Sequence, residues 1–297
     1  MSTIPLSEAL RLYIQEKHEC PVITEYDINR YLFTLYQTKE INGLKIGKIS
    51  LDFPDVHVIA NAIGKLIRSG FIKRIDCFSA YEISNSKIPS SYQVVCAINP
   101  FCYLSHISAM DWHGLTDRIP KQIHITTCSA IIFSRLMNEK ISGDFGNYRD
   151  KVKFKIKKKL DSYSINDKEI IEHEKSKFTN RKSIDGTGGV RVASIGETFL
   201  SMIQDPELCG GINHVLDVFD EFAKTYKPLI LKEVDINGSK IDKCRVGYIF
   251  EEMLKINDKK IDEWASSAVS RGGSRKLVAS KSYCDTYSER WCISINN

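Results

Sequence analysis

The sequence predicts an α+β protein in two parts: an N-terminal winged helix-turn-helix, argued element by element below, followed by a mixed α/β C-terminal domain. Three observations carry this. Three helical stripes of apolar residues and two strand-like runs fill the first 85 residues. A segment with several serines and a proline, Ser84 to Ser91, then interrupts the pattern. Beyond it, strand-like and helix-like runs alternate to the end of the chain. At 297 residues the chain also exceeds what one hydrophobic core commonly serves. The expected domains are 1–85 and 92–297.

In the first segment, Leu6, Ala9, Leu10, Tyr13 and Ile14 share one helical stripe, with Ser7 as a candidate N-cap, and Cys20-Pro21 breaks the chain. Thr24 opens a second helix, with Asp27 in its first turn and Ile28, Leu32, Leu35 and Tyr36 at helical spacing. Thr38 to Asp52 contains Asn42-Gly43 and Gly47 and reads as a loop. A third helix starts near Pro54-Asp55 and ends at Ser69-Gly70. Its apolar stripe is Val56, Ile59, Ile63, Leu66 and Ile67. Its polar stripe is His57, Asn61, Lys65 and Arg68, with Ala60 and Gly64 keeping the adjoining surface low. Phe71 to Ile75 and Ala80 to Ile83 are rich in strand formers around a turn at Asp76 to Ser79, and predict a hairpin.

Three helices and a hairpin in that order describe a winged helix-turn-helix, which presents its third helix to the major groove and its hairpin to the backbone or minor groove. His57, Asn61, Lys65 and Arg68 on the helix, and Lys73 and Arg74 on the hairpin, are the candidate DNA contacts. Asn can pair with adenine, and Arg or Lys with guanine or phosphate. The near balance of charge in residues 1–85 leaves open that the module binds protein instead. An ordinary helix also has a polar side.

Composition narrows the function classes. Apolar residues make up 42% of the chain and charged residues 27%, as in ordinary globular proteins. No apolar run is long enough for a transmembrane helix, and Met1 to Leu12 lacks the pattern of a signal peptide, so a cytoplasmic protein without membrane contact is expected. Nine scattered cysteines without a Cys-x-x-Cys pair point to reduced thiols. No Cys/His spacing suits zinc, so no metal or cofactor is expected. The formal charge of +5 permits nucleic-acid binding without requiring it. The excess lies in Lys151–Lys159, Arg181–Arg191 and Arg271–Lys281.

In the second segment, Tyr92 to Asn99 predicts a strand stopped by Pro100. Ser105 can cap a short helix ending at Gly114, and a strand follows at Gln122 to Thr127. Ile131 to Ser134 and Lys151 to Ile156 are β-capable. In the latter run Lys153, Lys155 and Lys157 alternate with Val152, Phe154 and Ile156. That gives a lysine row suited to protecting a sheet edge, to plain solvation or to tracking phosphates. Ser183 to Gly189 is a glycine-rich turn without the order of a phosphate loop. Helices are expected at Ser194 to Gln204, Ile212 to Thr225 (broken by Tyr226-Lys227-Pro228) and Lys243 to Lys255. Cys209-Gly210-Gly211 needs positive backbone angles. Strand-like pieces fall near Lys276 to Ala279 and Trp291 to Ile295.

Tyr103 to Pro120, with Tyr103, Ser105, Ser108, Ala109, His113-Gly114-Leu115-Thr116 and Pro120, resembles the signature line of the AbiEi family. These are antitoxins of bacterial type IV toxin–antitoxin (abortive-infection) systems. Two further blocks are similar: Glu197 to Ile203 leading into Asp205 to Gly211, and Arg245-Val246-Gly247-Tyr248-Ile249-Phe250-Glu251. The resemblance implies a non-enzymatic two-domain protein whose winged helix represses its own operon by binding inverted repeats in double-stranded DNA. It implies a C-terminal domain that counters a nucleotidyltransferase-like toxin without requiring a stable complex. By motif position, Ser105, His106, His113, Arg191 and Arg245 are the candidate antitoxin residues.

Two enzyme readings stand beside it. Ser105, His106, Ser108, Asp111 and His113 hold the residue types of a nucleophile–base pair, but no glycine-rich elbow surrounds the serines. Glu169, Glu172, Glu174 and Lys175 hold those of a metal-dependent nuclease, in what reads as a polar stretch without flanking strand hydrophobics. No catalytic residue is therefore expected.

Overall fold

The computed structural model describes residues 3–47, 49–75, 78–84, 86–158, 164–268 and 275–297. Asp76 in the expected hairpin turn, Asn85 in the expected linker, and Lys159 and Arg271 in the basic runs lie outside the described residues. The fold is mixed α+β. The chain divides into two compact units, one of residues 1–103 with 126–191 and one of 104–125 with 192–297. The division therefore does not fall at 85–92.

The first unit begins with β1 (Thr3–Ile4), α1 (Leu6–Lys17), β2 (Val22–Thr24) and α2 (Glu25–Thr38). β3 (Glu40–Ile41), β4 (Leu44–Ile46), α3 (Val56–Arg68), β5 (Ile72–Arg74) and β6 (Ala80–Ile83) follow. Thr24 forms a full capping box with Asp27, as its sequence position predicts. Ser7 does not cap α1. Pro5 precedes the helix with fixed extended geometry, and no side chain caps it. The stretch Thr38 to Asp52 is not wholly loop, because Asn42 and Gly43 both take positive φ and close a two-residue hairpin between β3 and β4. β1 adds to it in parallel. The second sheet has the order β2-β6-β5, with both pairings antiparallel.

α3 buries Ile59, Ala62, Ile63 and Leu66 against α1 and α2. Each large aliphatic so buried contributes about 1.5–3 kcal/mol. Val56 and Ile67, expected inward, stand 43% and 41% exposed. At 100° per residue Val56 and Ile67 fall together at one edge of the arc that Ile59, Ala62, Ile63 and Leu66 bury.

The remaining elements are α4 (Ser91–Ile98), β7 (Cys102–Leu104), α5 (His106–Trp112), β8 (Gln122–Cys128), α6 (Ala130–Phe145), β9 (Ser164–Ile165) and β10 (Lys168–Lys175). After them come α7 (Ile195–Gln204), α8 (Ile212–Asn237), α9 (Lys240–Tyr248), α10 (Lys259–Ala268), β11 (Arg275–Lys276), β12 (Tyr287–Ser288) and β13 (Ile293–Ser294).

Four expectations are corrected here. Residues 92–99 are a helix, not a strand: Ser90 and Gln93 form a capping box, and the apolar run is buried on several sides. Residues 131–134 belong to α6, which Ser129 caps and whose Phe133, Met137, Ile141 and Phe145 recur every fourth residue. Glu169 to Lys175 lies in a strand, β10, paired antiparallel with β9. Pro228 does not end its helix. α8 runs on to Asn237, held by buried Ile230, Leu231 and Val234, while Pro228 itself is exposed.

The N-terminal segment does not stand alone, because its aromatics pack on α6 and the 3-10 turn Gly146–Lys151 within the same unit. Phe33 lies 5.2 Å from Phe145, Phe53 stacks 5.9 Å from Tyr148, and the Tyr26 hydroxyl donates to Asp144 at 2.6 Å. The second unit has its own core, from Met110 and Leu115 through Phe199, Phe219 and Phe250 to Trp291. Gly210 and Gly211 take the positive φ angles their sequence predicts. No helix among the described residues is long and apolar enough to cross a membrane.

Candidate nucleic-acid interface

The polar stripe of α3 is an open surface. Asp55 caps the helix by accepting from the His57 backbone N–H at 2.6 Å. His57, Asn61, Lys65 and Arg68 are all exposed, and Ala60 beside them is exposed as well. Arg68 reaches back along the helix so that a Cβ on Gly64 would stand 3.3 Å from its Nη1. Lys65 and Arg68 occupy the last turn, where cations suit the helix dipole.

Gly70, at φ +69°, turns the chain directly into β5, and Phe71 N–H donates to the Leu66 carbonyl at 3.0 Å. Lys73 and Arg74 on β5 are exposed. Lys73 faces Glu82 across the ladder and Arg74 faces Tyr81, whose hydroxyl donates to Glu25 at 3.1 Å. All six predicted residues are thus exposed on two consecutive elements, with Lys73 and Arg74 on opposite faces of their strand. They offer amide, guanidinium, ammonium and imidazole groups, the set that reads base edges and phosphates. Asp55 and Glu82 were not singled out in the sequence. Asp55 was legible as a cap, whereas Glu82 depends on strand register.

The five candidate antitoxin residues are differently placed. The Arg191 guanidinium donates from Nε to the Cys102 carbonyl at 2.8 Å, and from Nη2 to the Asn99 carbonyl at 2.6 Å and the Cys96 carbonyl. It thereby ties the end of α4 to β7. Its backbone N–H also meets Cys96 Sγ at 3.4 Å. The Cys96 thiol is held below the ordinary cysteine range by Cys102, which is itself raised, and by Arg191. No disulfide occurs among the described cysteines.

Arg245 is 7% exposed and donates to the carbonyls of Lys276 (3.0 Å) and Ile203 (3.4 Å), with Asp242 at 3.8 Å. Burial draws its pKa down, and Asp242 opposes this. His113 is half-buried, with Nε2 2.7 Å from the Ala193 carbonyl.

Ser105 and His106 are buried, with Ser105 Oγ 3.0 Å from His106 Nδ1 and Asp205 3.8 Å from Nε2. His106 takes a left-handed backbone, φ +50°, and its ring lies 6.0 Å from that of His124, a residue the sequence reading missed. Ser105 precedes α5 as expected, but its hydroxyl does not cap the helix. At 2% exposure that hydroxyl is withheld from a substrate, which weakens the hydrolase reading. On β10, Glu174 is paired with Lys158 at 2.9 Å, and burial raises the Glu172 carboxyl.

No protein-family model matches the chain, and no curated protein matches it. Among solved structures, the crystal structure of the RV2827C protein from Mycobacterium tuberculosis is similar at 10% identity. The match covers 97% of this chain and 90% of that one, at a TM-score of 0.48.

Proposed function

We propose that the protein binds duplex DNA through a winged helix-turn-helix formed by its first 83 residues, and acts as an autoregulating antitoxin. One observation carries the DNA reading. α3 keeps His57, Asn61, Lys65 and Arg68 together in solvent and leads directly into a hairpin that exposes Lys73 and Arg74. The sheet order β2-β6-β5 behind three helices supports it, because that is how such a fold anchors its wing.

The antitoxin part rests on the resemblance of Tyr103 to Pro120, Glu197 to Gly211 and Arg245 to Glu251. In that reading the C-terminal residues oppose a nucleotidyltransferase-like toxin, with no catalytic step of their own. The internal bonds of Ser105, His106, His113, Arg191 and Arg245 suggest that these motif residues maintain the fold of the antitoxin region and do not themselves meet the toxin.

The test is binding of the purified protein to the DNA immediately upstream of its gene, against scrambled DNA, across a salt series. A steep salt slope with a specificity ratio of at least about 10³ is the expected result. Equal weak binding to both DNAs would replace the repressor reading with that of a winged-helix adaptor for protein.

A further inference from the structure

Residues 152–157 form no strand, although their burial alternates as a strand's would. Val152 is buried. Phe154 packs on the core of α1, α2 and α3, and Ile156 packs on the aromatic cluster of Phe53 and Phe145. Two apolar anchors in separate clusters therefore pin this segment, and a turn in which the Lys155 N–H donates to the Lys153 carbonyl at 3.1 Å bends it at Phe154. Lys153, Lys155 and Lys157 are all turned to solvent.

With no strand there is no sheet edge to protect, which leaves plain solvation or phosphate contact as the role of the row. Lys158 is paired with Glu174, but none of the three outward lysines has an ion-pair partner among the described residues. The segment lines one cavity of about 230 Å³ with Thr24, Glu25 and Tyr26 at the start of α2 and with Phe78 and Ser79 in the turn of the hairpin. One carboxylate, Glu25, shares that cavity, and it accepts from the Tyr81 hydroxyl. Three cations are thus held beside the hairpin that carries Lys73 and Arg74.

We propose that Lys153, Lys155 and Lys157 are a second row of phosphate contacts that continues the duplex-DNA interface of α3 and the hairpin past the hairpin's turn. This rests on the DNA-binding reading above and adds residues far along the chain to it. Such a row would add affinity and salt dependence without reading sequence, because ammonium groups on phosphates carry no base information.

The test compares the full-length protein with its Lys153→Gln/Lys155→Gln/Lys157→Gln variant on the upstream DNA and on scrambled DNA across a salt series. A control variant, Lys224→Gln/Lys232→Gln/Lys240→Gln, removes the same charge from exposed positions on α8 and α9. The slope of log affinity against log salt should fall by about 2–3 in the first variant, since each phosphate contact contributes about 0.9. Binding to both DNAs should weaken, and their ratio should hold. The control should keep the wild-type slope. Thermal melting checks that each variant is folded, as expected for exposed side chains. If the wild type binds specifically and the first variant keeps its slope, or the control loses as much, the lysine row is refuted while the DNA reading stands. If the wild type shows no salt-dependent binding to either DNA, both fall together.

Discussion

The six-membered ring of Trp291 packs against Gly247, leaving no room for a methyl group between them: a Cβ at residue 247 would collide with three of its atoms. Trp291 is fully buried, and its Nε1 donates to Glu251 at 2.9 Å on the turn that follows α9. Gly247 does not take a positive φ, so space alone requires the glycine. Alanine in a helix is otherwise favoured over glycine by about 1 kcal/mol. Gly247→Ala is nevertheless expected to destabilise the protein by about 1–3 kcal/mol, the usual cost of overpacking a filled core. Urea unfolding followed by tryptophan fluorescence measures this. A midpoint equal to or above that of the parent protein would reject the packing argument.

That contact also shows where the sequence was legible. α1, α2 and α3 could be read because each has one buried stripe and a polar side, so their period survives in the sequence. The exposed row of His57, Asn61, Lys65 and Arg68 followed from the same period. α4 and α6 could not be read this way. Val94-Val95-Cys96 is apolar on consecutive positions, and Ile131, 84% exposed, sits beside the buried stripe of α6 and blurs it. The caps Ser90 and Ser129 were the available signals. The division into two compact units was illegible for a different reason. The contacts of Tyr26, Phe33 and Phe53 with α6 and the turn after it join residues more than ninety positions apart, and no local pattern encodes them. The bonds of Arg191 span 89 to 95 positions and those of Arg245 span 31 and 42, so no local pattern showed what either side chain holds.

Asp235 sets a pH dependence at low pH. Its Oδ1 accepts from Trp264 Nε1 (3.0 Å) and Lys243 (3.2 Å), and its Oδ2 from Lys260 (3.1 Å), joining α8, α9 and α10. The Trp264 bond first, then the two lysines, hold its carboxyl down at about 2 against the ordinary 3.8. A carboxylate depressed on folding stabilises the protein above its unfolded pKa, and the contribution is lost as pH falls through the folded value. The difference in melting temperature between wild type and Asp235→Asn should therefore be constant above about pH 4.5 and shrink between about pH 4 and 2. A difference that does not change over that interval would show that Asp235 is not held in this way.

Arg191 tests whether a motif residue is structural. Its planar fork meets three carbonyls from α4 and β7, and an ammonium cannot reproduce that geometry. Arg191→Lys and Arg191→Ala are both expected to lower stability by about 2–4 kcal/mol, because partly buried carbonyls lose charge-assisted partners. Chemical unfolding measures this. A lysine variant as stable as wild type, yet lost to antitoxin activity in a toxin co-expression assay, would instead assign Arg191 a direct role.

Arg68 separates base reading from phosphate contact on α3. Arg68→Ala is expected to weaken binding to the upstream DNA by about 1–3 kcal/mol while changing scrambled-DNA binding little, as loss of a base contact does. Lys65→Ala should instead weaken both DNAs alike and lower the salt slope by about 1. Both side chains are exposed, so neither change threatens the fold. Competition titrations at two salt concentrations distinguish the two patterns. If Arg68→Ala binds its upstream DNA as tightly as wild type, the polar stripe of α3 is not the reading surface, and the hairpin would have to carry recognition.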